Sequence, residues 1–100
     1  MLDLDHLSRQ TMGDRVLERE VFGLFVRQID VLVGRLRSVR SRRERSEVAH
    51  TIVGSARAVG AFEIAEIVSR IEADGEEGDI ARLADAVERT SAFIADYLAQ

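Results

Sequence analysis

The sequence predicts an all-α protein, an antiparallel up-down four-helix bundle with a short N-terminal helix. Three observations carry that prediction. There is no proline in 100 residues and aromatic residues are 5%, so the usual breakers of helices and builders of strands are scarce. Four long segments repeat apolar residues at i, i+3, i+4 and i+7, the period of a helix with one buried side. The connections between them are short, which makes consecutive helices antiparallel neighbours.

The elements follow in order. Residues 3–10, "DLDHLSRQ", suit a short helix with Leu4 and Leu7 inward. "MGD" interrupts it, and Asp14 is a natural N-cap for the next segment. From Arg15 to Val39 runs the longest helical stretch. Leu17, Val21, Leu24, Phe25, Val31 and Leu32 form one apolar stripe, and Phe22, Val26, Ile29, Val33 and Leu36 a second, roughly 100° away. Either this helix packs centrally, or part of it is an exposed docking strip. "RSVRSRRERS" marks a boundary, after which a helix starts near Ser41 or Arg42 and ends at Gly60, a residue suited to a left-handed C′ position. A further helix covers Ala61 to Ala73, with Ile64, Ala65, Val68 and Ile71 inward. "DGEEGD" supplies a loop, with Asp79 as the cap of a last helix whose inner face holds Ile80, Leu83, Ala84, Val87, Ile94, Tyr97 and Leu98.

Composition excludes several classes. A length of 100 residues with 46% hydrophobic and 32% charged content suits one globular domain, 1–100. No apolar run approaches the roughly 20 residues of a membrane span, and Met1 is followed by "LDLDHL" rather than a basic and then apolar leader, so the expected location is cytoplasmic. Without cysteine there is no disulfide or thiolate metal site, and His6 and His50 lack the spacing of a metal-binding pair. The net charge of −4 gives no general affinity for nucleic acid. All fourteen basic residues are arginine. Six of them, Arg35, Arg37, Arg40, Arg42, Arg43 and Arg45, crowd into eleven positions. They read as favourable charge at a helix C-terminus and a solvated connection, or as a field that steers an acidic partner.

The informative stretch is "AHTIVGSARAVGA", 49–61. Val48, Ile52, Ala56 and Val59 recur at helical spacing and define the buried side. His50 stands about 200° from Ile52, so it faces water. Arg43, Glu47, Gly54 and Arg57 share its face, with Val53 at +3. A glycine inside a helix costs about 1 kcal/mol relative to alanine, and its place beside an exposed imidazole suggests close approach by another group. Arg57 adds a permanent cation about 10.5 Å along the axis. These features suit phosphoryl transfer through histidine: exposed imidazoles, which titrate near about 6.5, are mostly neutral nucleophiles at pH 7, and the transfer needs in-line access and nearby positive charge. Periodicity alone fits a plain solvated surface histidine better, because single surface histidines are common. No paired-carboxylate or nucleophile–base constellation supports a hydrolase.

The string "HTIVGSARAVGA" resembles the signature of histidine-containing phosphotransfer (HPt) domains, H-x-[hydrophobic]-K-G-[S/A] with a glycine about ten residues after the histidine. His50, Ile52, Gly54, Ser55 and Gly60 match in register, and "LDLDHLSRQTMGDRVLEREVFGLFVRQI" is similar to the family's first helices. The resemblance implies a bundle whose exposed His50 carries a phosphoryl group between receiver-domain aspartates, or from a hybrid histidine kinase. It implies a phosphocarrier without kinase activity of its own and without a cofactor, any magnesium belonging to the receiver. In the family a lysine follows three residues after the histidine and helps to neutralise the phosphoryl group; here that position is Val53. Arg57 or an arginine of the 35–45 run is then expected to compensate, failing which the domain binds receivers without exchanging phosphate. Ser55 is expected to add a hydroxyl. The docking surface is expected to join the His50 face, including Glu47 and Arg43, to exposed apolar positions of the first long helix, Phe22, Val26 and Ile29. Glu72 and Gln28 read first as ordinary surface residues, with approach to that face as the alternative. A monomer is expected; a helical dimerisation module is the alternative from another class.

Overall fold

The computed structural model describes residues 2–74 and 77–99, with the backbone alone at 74, 77 and 78. The described chain is all-helical: α1 (Leu4–Thr11), α2 (Arg15–Ser38), α3 (Arg42–Ala58), α4 (Phe62–Asp74) and α5 (Glu77–Ala99). Local chemistry sets the boundaries. Asp14 Oδ1 accepts from the N–H groups of Val16 and Leu17 at 3.0 and 3.1 Å, and Ser41 Oγ accepts from the Glu44 N–H at 3.1 Å. Both caps satisfy donors that have no partner within their own helix.

At the far end of α3 the backbone closes a Schellman motif. The Ala61 N–H donates to the Ala56 carbonyl at 2.7 Å and the Gly60 N–H to that of Arg57 at 3.2 Å. Gly60 takes φ +80°, a left-handed conformation that a Cβ would strain. The segment before α1 lies over this corner, where the Asp3 N–H donates to the Gly60 carbonyl at 2.9 Å.

The four longer helices pair in a closed circuit: α2 packs on α3 and α5, α3 on α4, and α4 on α5, while α1 rests on α2. Their shared core includes Phe22, Ile29, Ile52, Ile64, Val68, Leu83 and Ile94, all fully buried. Polar groups tie particular levels of the helices together. Ser46 Oγ donates to Glu72 Oε1 at 2.8 Å between α3 and α4. Arg89 of α5 meets Glu63 of α4 at 2.6 Å. Near the start of α2, the Tyr97 hydroxyl of α5 donates to the buried Glu18 carboxylate at 2.9 Å. That acceptor and burial together raise the Tyr97 pKa, because both disfavour a phenolate.

Two expectations need correction. Phe22 and Ile29 are not an exposed strip; they are 0% and 1% exposed, and Val26 is half-buried against the same core. Since α2 is flanked by both α3 and α5, it buries a broad face, Phe22, Phe25, Ile29, Leu32, Val33 and Leu36, drawn from both sequence stripes. The outer edge of the first stripe is what remains outside, with Leu17, Leu24 and Val31 at seven-residue intervals and Leu24 and Val31 48% and 63% exposed. The second correction concerns Asp79, which does not cap α5. The helix already begins at Glu77, so Asp79 lies inside its first turn, buried, and accepts a 2.9 Å hydrogen bond from Arg82. An acid inside the first turn still favours the positive end of the helix. Of the loop expected at 74–79, residues 75 and 76 lie outside the described residues, and 77–79 are helical.

Candidate functional site

Helix α3 presents two unlike sides. Val48, Ala49, Ile52 and Ala56 are buried, on a helix that packs against α2 and α4. His50 is exposed on the other side. It lines a shallow, open concavity with Arg42, Arg43, Ser46, Glu47 and Thr51, all but Thr51 on the N-terminal side of the ring.

The surroundings of the ring are polar and mostly engaged. Glu47 is exposed and accepts from the Arg43 guanidinium at 3.4 Å, while its carbonyl accepts from the Thr51 hydroxyl at 3.1 Å. Thus Glu47 faces water and pairs along the helix. Glu72 does approach this region, as the acceptor of Ser46, four residues before His50. Ser46 was not singled out by sequence reasoning; its spacing of four residues from the histidine was the available signal.

C-terminal to the ring the helix is barer. Gly54 is exposed, and a Cβ built there would meet nothing within 4 Å. Arg57 is exposed two turns beyond His50. Val53 is half-buried and packs against the core, so the +3 position is turned to the edge of the apolar seam. Ser55 is half-buried, stands about 140° round the helix from His50, and is absent from the concavity. Ser55 therefore does not line the space beside the ring. Gln28 is exposed on α2. His6, by contrast, packs edge-on against the Phe62 ring, with centroids 5.3 Å apart, and so belongs to the α1–α4 contact.

Among the described residues, no group of three or more His, Cys, Asp or Glu is placed to hold a metal ion. Nor is any described helix long and apolar enough to cross a membrane. What the α3 face offers is a solvent-facing imidazole, an adjoining space lined by Arg42 and Arg43, and Arg57 two turns away on the other side. A family model of the Hpt domain matches residues 20–99 of the chain, so that α1 and the first turn of α2 lie outside the match. No curated protein and no solved structure matches it.

Proposed function

The chain belongs to the Hpt domain family, and we propose that it is a phosphocarrier of a two-component phosphorelay with His50 as the phosphoacceptor. The observation that carries the proposal is the exposed imidazole on the side of α3 opposite the buried seam. In this reading residues 1–100 form one domain, a cytoplasmic monomer whose four long helices run up and down as an antiparallel bundle. The pairings Ser46–Glu72, Glu63–Arg89 and Glu18–Tyr97 support that arrangement, since each joins an early level of one helix to a later level of its neighbour.

The chemistry is an in-line exchange. A ring nitrogen of neutral His50 directs its lone pair at the phosphorus of a receiver's aspartyl phosphate. As the N–P bond forms, the P–O bond to the aspartate breaks and its electron pair leaves with the carboxylate. The other ring nitrogen keeps its proton or releases it to water. The reverse exchange delivers the group to a second receiver. Positioning and charge stabilisation, rather than covalent chemistry by the carrier, supply the rate.

A receiver, or the receiver segment of a hybrid histidine kinase, docks over His50. Gly54 keeps a side chain out of its path, and Arg57 adds positive charge at the far end of the same face. Leu17, Leu24 and Val31 replace Phe22 and Ile29 as the apolar part of the docking surface. Val31 lies about 10.5 Å from the C-terminal end of α2, and His50 about 12 Å from the start of α3, which puts them at similar heights across the short connection. The six arginines around that connection steer the acidic partner.

The test is incubation with a phosphorylated receiver. An acid-labile, base-stable label on the wild type, absent from His50→Gln, is the expected result. Val53 favours a second reading, an adaptor that binds a receiver without exchanging phosphate, because the residue at +3 is apolar and turned to the core. Receiver binding without any label would replace the first reading with the second. Light scattering that shows a tight dimer hiding Leu24 and Val31 would instead identify a dimerisation module.

A further inference from the structure

None of the residues one turn from His50, namely Ser46, Glu47, Val53 and Gly54, is basic, and Glu47 is acidic. A second carboxylate, Glu72, is held at the same level by Ser46. The side chains one turn away on its own helix would therefore give a phosphoryl dianion on His50 no compensating charge. Positive charge must come from further along the helix, and two arginines stand at equal sequence distance, Arg43 at −7 and Arg57 at +7.

The space beside the ring and the contacts within it break this symmetry. Side chains lean toward the N-terminus of their helix, so the ring, and a group carried on it, sits over the turn that precedes His50. The concavity beside the ring lies on that side too, lined by Arg42 and Arg43 but not by Arg57. Arg43, moreover, is already drawn C-terminally, since its Nε bonds to Glu47, one turn nearer the ring. Arg57, about 10.5 Å along the axis in the other direction, lies outside that concavity.

We infer that Arg43 is the positioning residue that neutralises the phosphoryl group on His50, held ready by Glu47 and passing from that carboxylate to the phosphoryl oxygens when the group arrives. The exchange is favoured because a phosphoryl dianion attracts a guanidinium more strongly than a single carboxylate does, and offers it two oxygens in matching geometry. The Arg43–Glu47 pair is exposed on both sides and so gives little stability that must be surrendered. The inference rests on His50 being the phosphoacceptor.

Phosphoramidate separates the two proposals, because it phosphorylates imidazole directly and needs no docking surface. Its P–N bond breaks, ammonia leaves with the electron pair, and the N–P bond to the ring forms. With the full chain, the initial labelling rate at His50 is expected to fall about five- to tenfold in Arg43→Ala. Arg43→Lys should stay within about threefold of the wild type, because the cation is kept, and Glu47→Gln should label faster, because one repelling charge is gone. Circular dichroism should be unchanged, as neither side chain touches the core. A wild type that labels while Arg43→Ala labels equally fast overturns the inference and leaves the phosphocarrier reading standing. Loss in Arg57→Ala with none in Arg43→Ala overturns it as well, in favour of the other arginine. A wild type that labels with neither phosphoramidate nor a phosphorylated receiver ends both.

Discussion

Gly54 and Gly60 lie six residues apart in one stretch of chain, and opposite demands explain them. Gly60 is needed by the fold itself. It has φ +80°, and a Cβ there would lie 2.6 Å from the Asp3 carbonyl oxygen and 3.1 Å from the Asp3 nitrogen. Gly54 has ordinary helical geometry and open space around it. Among the described residues nothing uses its missing side chain, although helix formation is weaker for it. A glycine required from within marks a corner; one that is not required from within fits the clearance proposed beside His50.

Substitutions can break or sharpen this contrast. The largest expected effect is at the corner: Gly60→Ala should destabilise the protein by about 3 kcal/mol in urea unfolding, from left-handed strain together with the clash on Asp3. Next is another place where distant parts of the chain satisfy each other. Tyr97→Phe removes the hydroxyl that donates to buried Glu18, leaving that carboxylate with Arg15 at 4.0 Å, and should cost about 1.5 kcal/mol by the same measurement. Gly54→Ala should go the other way, a gain of about 1 kcal/mol in stability with slower transfer from a phosphorylated receiver. A stabilised variant that exchanges phosphate with its receiver at the wild-type rate would show that the clearance at Gly54 serves no partner.

The smallest effect is electrostatic. The Arg89 hydrogen bond holds the Glu63 carboxyl down at about 2, below its ordinary 4.5. A depressed acid stabilises the fold above its unfolded pKa, and the contribution is lost as pH falls from 4.5 through 2. Because the pair is well exposed, solvent screening cuts it to a few tenths of a kcal/mol. Glu63→Gln should flatten the stability profile by that amount in this window and leave neutral pH nearly unchanged.

Much of the molecule was legible before any coordinates. Asp14 and Ser41 announce helix starts because a short acceptor side chain ahead of an apolar period satisfies orphan N–H groups whatever surrounds it. Gly60 announces a helix end for a similarly local reason. Asp79 misled, since an aspartate favours both the cap and the first turn of a helix and the sequence does not say which place it fills. On α2 the two apolar stripes gave no ranking. Phe22 and Ile29 were read as outward, whereas Leu17, Leu24 and Val31 are the residues left in water.

The azimuth of His50 relative to Ile52 came from the chain alone, because 100° per residue is a property of the helix and needs no neighbour. The choice of buried face on α2, the reach of Ser46 to Glu72 and the enclosure of Glu18 under Tyr97 were decided only by assembly. Those contacts join residues 26 and 79 positions apart, and their selection depends on which helices stand on either side.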